Sequence, residues 1–307
     1  MIPLSEYFEN ECYKAGFAGF TINKAEPLEG HLEYLQEWLS HGYHGKMGYL
    51  AKNTAIRYNP TLLMPEVKSI ITVLLNYYPS QKMSIDDNYR IAKYAYGKDY
   101  HDIVKEKLNK IAQGAFEKYG DFNFRSFCDS APIADRVWAQ KGGLGWIGKN
   151  TLLINKDLGS FFFIGHLFID RELPTWQSTQ PDLCLDCDKC LKACPTQAFF
   201  APYQMNASKC LSYQTIENKS DIKDIEPKKF RNWIFGCDIC QDVCPYNKIS
   251  TPHIIEELNP HQSLFAMKKA DWEQLTPEAF QQIFNKSAVK RAGYKGLTQN
   301  INWVKQK

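Results

Sequence analysis

The chain has 307 residues, of which 44% are hydrophobic and 23% charged, and a formal net charge of +3. That balance belongs to an ordinary soluble globular protein of roughly two domains and excludes an intrinsically disordered chain. No run of about 18 uncharged apolar residues offers a membrane span. The polar N-terminus, MIPLSEYFENECYKAG, is neither a secretory signal nor an Arg-rich transit peptide, so the cytoplasm is the expected compartment.

In chain order, Leu4, Tyr7, Phe8, Cys12 and Ala15 recur at helical spacing and predict a helix over 4–15. A short strand over 17–22 and a helix over 30–41 follow. The run SIITVLLNY, within 67–77, predicts a buried strand. Residues 99–118 form an amphipathic helix with Val104, Leu108, Ile111 and Ala115 on one face. The strand-like run FNFRSFC leads into Asp129 and a turn, then a helix over 133–141. TLLIN (151–155) and FFFIGHLFI (161–169) read as core strands. The polar stretch PTWQSTQP, 174–181, is a linker. A last helix covers 277–284, with Thr276 as its N-cap. Three regions result: mixed α/β over 1–175, a cysteine region over 176–250, and a C-terminal segment over 251–307.

Ten cysteines are the unusual feature. Cys12 and Cys128 are isolated, Cys12 on the apolar face of the first helix. The rest form Cys184-x2-Cys187-x2-Cys190-x3-Cys194-Pro195, then Cys210, then Cys237-x2-Cys240-x3-Cys244-Pro245. A disulfide framework does not suit a chain of this size without an export signal. The first run has the spacing of bacterial 4Fe–4S ferredoxins, in which the cysteine before proline turns to the other cluster. Applied here, that rule expects Cys184, Cys187, Cys190 and Cys244 on one cluster and Cys194, Cys210, Cys237 and Cys240 on a second. A pair of zinc sites is the alternative for the same thiols. The expected fold class is α+β: a mixed α/β domain followed by a ferredoxin-like domain with two 4Fe–4S clusters. The large first domain leaves room for an active site that a plain electron carrier does not need.

The segments YGKDYH (Tyr96 to His101), CDSAPIADR (Cys128 to Arg136) and GGLGWIGKNTLLI (Gly142 to Ile154), followed by the cysteine run, occur in this order. Together they resemble the epoxyqueuosine reductase family. The resemblance runs from about residue 5 to the end of the cysteine region and extends more weakly over 287–300. It implies a cobalamin in the first domain, fed by the two clusters from an external electron donor. It also implies removal of the epoxide oxygen of epoxyqueuosine in tRNA, with tRNA as partner and no membrane. Asp129 matches the family's proton donor, and a carboxyl near a hydrophobic cofactor is expected to have a raised pKa. Arg57, Asp129, Lys149 and Asn150 match cofactor contacts.

Each of these residues also has a plainer reading. Asp129 can cap the helix that follows, with Asp135 the second candidate carboxylate. Arg57 can be a solvated loop residue. The glycines at 142, 143, 145 and 148 can be a helix-to-strand connection, and Lys149 followed by Asn150 does not fit a phosphate loop. His31, His41, His44, His101, His166, His253 and His261 form no metal-binding pattern, so a cobalt without a protein His ligand is expected.

From Ala279 onward there is no Asp or Glu, while Lys286, Lys290, Arg291, Lys295, Lys305 and Lys307 alternate with Phe280, Phe284, Tyr294 and Trp303. Such a mixture suits phosphate contact and base stacking, and a solvated face is the alternative. Lys228, Lys229 and Arg231 form a second basic patch. Two departures from the family stand out. The chain ends at Lys307, which matches a short form without C-terminal helical repeats. Gln299 stands before Asn300 where Arg is expected. A reductive dehalogenase-like enzyme and a ferredoxin-type electron carrier are the alternative functions.

Overall fold

The structure is a computed structural model that describes residues 2–83, 88–176 and 178–306. Gln177 of the linker and Lys307 of the basic tail lie outside the described residues. Helix α1 (Leu4–Lys14) buries Phe8 and Cys12, one turn apart. After strand β1 (Gly19–Lys24) come helices α2 (His31–Ser40) and α3 (Thr54–Tyr58), strand β2 (Ser69–Asn76) and the long helix α4 (Tyr100–Tyr119). Strand β3 (Phe124–Phe127), helix α5 (Asp135–Lys141) and strand β4 (Phe162–Ile169) complete the sheet layer.

The four strands form one antiparallel sheet in the order β1-β2-β4-β3. Strand β2 is apolar on both faces because helices cover both, so it reads as a continuous run rather than an alternating one. Ile71, Val73 and Leu75 join Phe8, Cys12, Val104 and Leu108 of α1 and α4. Ile70 packs with Trp138 of α5 and Phe168, and Leu74 packs with Ala139 of α5 and Phe162. TLLIN shrinks to a two-residue strand, Leu153–Ile154, paired with Trp146–Ile147. The reason is Thr151, whose φ of +64° makes it part of the turn.

Beyond the sheet, α6 (Lys189–Ala193), α7 (Leu211–Ile216) and α8 (Ile239–Asp242) carry or flank the cysteines, and α9 (Pro277–Phe284) and α10 (Gly293–Lys305) follow. The Thr276 hydroxyl accepts from the Ala279 amide at 3.2 Å, capping α9 as its sequence predicts. Leu297, Ile301 and Val304 of α10 are buried. Asn300 donates from Nδ2 to the carbonyls of Thr215 and Ile234 at 2.8 and 2.9 Å, tying α10 to the cysteine region. Phe280 and Phe284 of the tail are core rather than stacking platforms, and Tyr294 and Trp303 pack half-buried against that core. Phe284 is buried against Trp272, Phe280 packs on Phe284, and Tyr294 donates to the Leu275 carbonyl. Three of the tail's cations are engaged too: Lys290 with Asp99, Arg291 with Glu217 and Lys305 with Glu273. Among the described residues, no helix is long and apolar enough to cross a membrane.

The expected fold class needs correction. The layered sheet and helices form an α/β fold. The cobalamin-binding domain and the ferredoxin-like domain with two 4Fe–4S clusters are not supported. As the side chains stand, among the described residues no group of three or more His, Cys, Asp or Glu is placed to hold a metal ion.

Candidate active site around Asp129

Strand β3 ends at Phe127, Cys128 is buried behind it, and Asp129 takes a φ of +56°. Asp is among the few residues that accept this left-handed conformation. The turn aims the carboxyl at the first turn of α4. Asp99 caps that helix, accepting from the His101 amide at 3.2 Å, and so sets Tyr100 and His101 side by side at its start.

The Tyr100 hydroxyl donates to Asp129 Oδ2 at 2.5 Å, and His101 Nε2 lies 3.4 Å from the same oxygen. On the opposite side of the imidazole, Nδ1 meets Asp99 Oδ1 at 2.6 Å, and Lys290 Nζ approaches Asp99 Oδ2 at 3.3 Å. The Tyr100 ring lies flat against Phe163 of β4, with centroids 4.0 Å apart and planes 1° from parallel. His101 stacks on its other side at 4.1 Å. Aromatic packing therefore holds both donors in register with the carboxylate.

These contacts set the protonation states. Burial pushes Asp129 up, but the hydrogen bonds from His101 and Tyr100 and the charges of His101 and Arg291 outweigh it and hold the carboxyl below its ordinary value. Burial lowers His101, but its bonds to Asp129 and Asp99 outweigh that and bring it up to about 9. Burial likewise raises Asp99, yet His101 and Lys290 together bring it down to about 2. The expectation of a raised Asp129 pKa is thus corrected: near neutral pH the carboxyl is ionised and His101 carries the proton. The capping alternative also fails, because the N-cap of α5 is Ala134, without a side-chain cap. Asp135 instead receives the buried His166, whose Nε2 lies 3.1 Å from Oδ1 and whose Nδ1 meets Thr72 Oγ1 at 3.0 Å.

Arg57 borders the loop that follows Asp129. Its Nη1 donates to the Ile133 carbonyl at 3.1 Å and its carbonyl accepts from the Ala134 amide, while its Nε is buried without a partner. Lys149 and Asn150 lie elsewhere. They line a cavity of about 220 Å³ together with Cys184, Cys187, Cys190 and Cys244, and Lys149 Nζ donates to the Leu185 carbonyl. A second cavity, of about 730 Å³, opens between 26–31 and α5. Arg57 and Asp129 line neither. Arg57 and Asp129 thus stand apart from the cavity that Lys149 and Asn150 line.

The glycine-rich segment before Lys149 is a helix-to-strand connection. At Gly145, with φ +153°, a Cβ would come within 2.1 Å of the Ile154 carbonyl oxygen.

The expectation of two 4Fe–4S clusters is corrected, and the zinc alternative with it: as the side chains stand, no group of three or more His, Cys, Asp or Glu among the described residues is placed to hold a metal ion. Two of the sulfurs accept hydrogen bonds: Trp146 Nε1 donates to Cys184 at 3.4 Å and the Ala198 amide to Cys194 at 3.3 Å. Burial pushes Cys190 up to about 11 and Cys210, Cys237, Cys240 and Cys244 above their ordinary value. Cys187 shares the smaller cavity.

Sequence reasoning did not single out Tyr100, His101, Asp99 and Lys290 as site residues. The signal present was the segment YGKDYH, noted only as part of an ordered set. Tyr100 and Asp129 are 29 residues apart, and no helical or strand period links them.

Comparison with known proteins places this geometry in context. The family model described as "Epoxyqueuosine reductase QueG, DUF1730" matches residues 57–130, a span that includes Arg57, Asp99, Tyr100, His101 and Asp129. A model described as a 4Fe-4S double cluster binding domain matches residues 183–247, so that region is similar in sequence to such domains. The chain is 44% identical to the epoxyqueuosine reductase of Cellulophaga algicola, over 98% of each chain. It is 45% identical to that of Leadbetterella byssophila, over 100% of each. Among solved structures, a crystal structure of epoxyqueuosine reductase with an epoxyqueuosine-modified tRNA-Tyr stem loop superposes with a TM-score of 0.87 at 27% identity, over 98% of this chain and 80% of that one.

Proposed function

We infer that the chain, which belongs to the epoxyqueuosine reductase family, reduces epoxyqueuosine to queuosine in tRNA. It is an oxidoreductase with tRNA as its partner. The likeness to a relative solved with its modified stem loop supports the same partner here. The reaction consumes two electrons and two protons, and the epoxide oxygen leaves as water. An external donor supplies the electrons. We place the reaction in the cytoplasm, the compartment that fits a tRNA substrate.

The observation that carries the site assignment is the Asp129 carboxyl, open to solvent on one side and held by Tyr100 and His101 on the other. In this reading Asp129 passes protons to the epoxide oxygen as the carbon–oxygen bonds break. Arg57 supports the loop after Asp129. Lys149 and Asn150 position the loop of Cys184 and Cys187. Residues 1–175 carry the reacting site, 176–250 the cysteines, and 251–307 contribute Lys290 beside Asp99 and Arg291, whose charge acts on Asp129.

The test is conversion of epoxyqueuosine to queuosine in tRNA, read by mass spectrometry of the nucleosides. The wild-type chain converts it, and Asp129→Asn loses about 100-fold or more. A wild-type chain that leaves epoxyqueuosine unchanged under reducing conditions overturns the substrate assignment. A variant of near-normal rate overturns the role of Asp129.

A further inference from the structure

We propose that His101 is the proton store of the site: it protonates Asp129, which passes the proton to the substrate, and Asp99 with Lys290 holds His101 in the donating form. This rests on the reading of Asp129 given above and names the source of the proton that an ionised carboxylate lacks.

The geometry is a line of alternating charge. Lys290 Nζ meets Asp99 Oδ2 at 3.3 Å, Asp99 Oδ1 meets His101 Nδ1 at 2.6 Å, and His101 Nε2 faces Asp129 Oδ2 at 3.4 Å. A neutral imidazole has one N–H and would turn a lone pair towards one of the two carboxylates. Only the imidazolium satisfies both. Asp99 is 9% exposed and paired with Lys290, so it keeps its charge and orients Nδ1–H. That leaves Nε2–H on the side of Asp129, whose Oδ2 lies 3.4 Å away as an ion-pair partner. The groups facing the imidazole are therefore Asp99 and Tyr100 from its own helix start, Asp129 from the loop after β3, and Lys290 behind Asp99 from the C-terminal segment. Arg291 acts on Asp129 from that same segment. The raised pKa of His101 and the lowered one of Asp129 agree with this placement.

The step balances. The Nε2–H bond breaks and an O–H bond forms on Asp129 Oδ2. Asp129 then gives that proton to the epoxide oxygen as a carbon–oxygen bond breaks, with electrons from the external donor of the established reaction. His101, now neutral, is recharged by solvent, which reaches 24% of its side chain. A second pass supplies the second proton, and the oxygen leaves as water. Tyr100 keeps its proton throughout, because burial and Asp129 both push it up. Its part is to hold Oδ2 in place.

The experiment is the pH dependence of single-turnover conversion at saturating tRNA for wild type, His101→Gln, Asp99→Asn and Asp129→Asn. The wild-type rate holds to near pH 9 and then falls. His101→Gln is slower by about 30-fold or more at pH 7.5, and its rate begins to fall at a lower pH. Asp99→Asn moves the wild-type alkaline limb to lower pH. A His101→Gln variant with wild-type rate, or with an equal loss at every pH and the alkaline limb intact, overturns the proposal and leaves the Asp129 assignment standing. An active Asp129→Asn overturns that assignment itself. Should His101→Gln not fold, titration of the His101 ring nitrogens by NMR in the wild-type chain decides. A midpoint near 9 that falls in Asp129→Asn supports the proposal, and an ordinary imidazole value refutes it.

Discussion

The hydroxyl of Tyr100 stands 2.5 Å from Oδ2 of Asp129, the oxygen that His101 also faces. A single carboxylate oxygen thus meets one donor that is never ionised and one that carries exchangeable charge. Tyr100→Phe separates the two. The ring keeps its stack on Phe163 and His101, so folding stability changes by less than about 1 kcal/mol beyond the lost bond. A hydrogen bond to a charged group is worth about 1.5–3 kcal/mol, and its loss raises the Asp129 pKa. The expected result is a folded protein with a rate about tenfold lower, checked by urea denaturation and single-turnover conversion.

The Asp99–His101 pair makes stability depend on pH in a definite direction. The folded pKa of His101 lies above its ordinary 6.5, at about 9, so its contribution is fully present below 6.5 and is lost as pH rises through about 9. That of Asp99 is lowered from 3.8 to about 2, so its contribution is present above 3.8 and is lost as pH falls towards 2. Asp99→Asn removes the pairing and is expected to lose on the order of 2 kcal/mol at pH 6. The difference from wild type shrinks by pH 10, where His101 is neutral in both. Urea unfolding at pH 6, 8 and 10 measures it; a constant difference contradicts the pairing.

Lys93 ties the first region to the cysteine region. Its side chain is 6% exposed, its Nζ lies 3.2 Å from Asp238 and 2.6 Å from Asp242, and its amide donates to Asp238 at 2.8 Å. Asp238 is 2% exposed and adjoins Cys237. Lys93→Met leaves that carboxylate buried without its cation, which costs about 3–5 kcal/mol. The double variant Lys93→Met with Asp238→Asn recovers part of the loss, because no uncompensated charge remains. Thermal unfolding of the two variants reads the difference; equal destabilisation would show that the ion pair is not the cause.

Much of the frame is legible in the sequence because local burial leaves a period. SIITVLLNY carries apolar residues on both faces because α1 and α4 cover one face of β2 and α5 the other. Val104, Leu108, Ile111 and Ala115 all point into the core from α4. The basic, aromatic tail shows where this reading stops. Phe280 and Phe284 look like a stacking surface in sequence, yet they pack into the core. Arg291 looks unpaired because its partner Glu217 lies 74 residues away. The cysteine spacing, similarly, describes a loop pattern but not where the sulfurs stand.

By itself the sequence determined the strand and helix frame, the cap at Thr276 and the family, through an ordered set of short motifs. It also pointed to Asp129. What only the tertiary structure decided is the charge on that residue. The family resemblance, with a carboxyl near a hydrophobic cofactor, suggested a carboxylic acid with a raised pKa, whereas the fold brings Tyr100, His101 and Arg291 around it and leaves it ionised. The physical reason is that a pKa is the sum of desolvation and nearby charges within a few ångströms. Those neighbours come from the start of α4, the loop after β3 and the C-terminal segment, and only folding places them together.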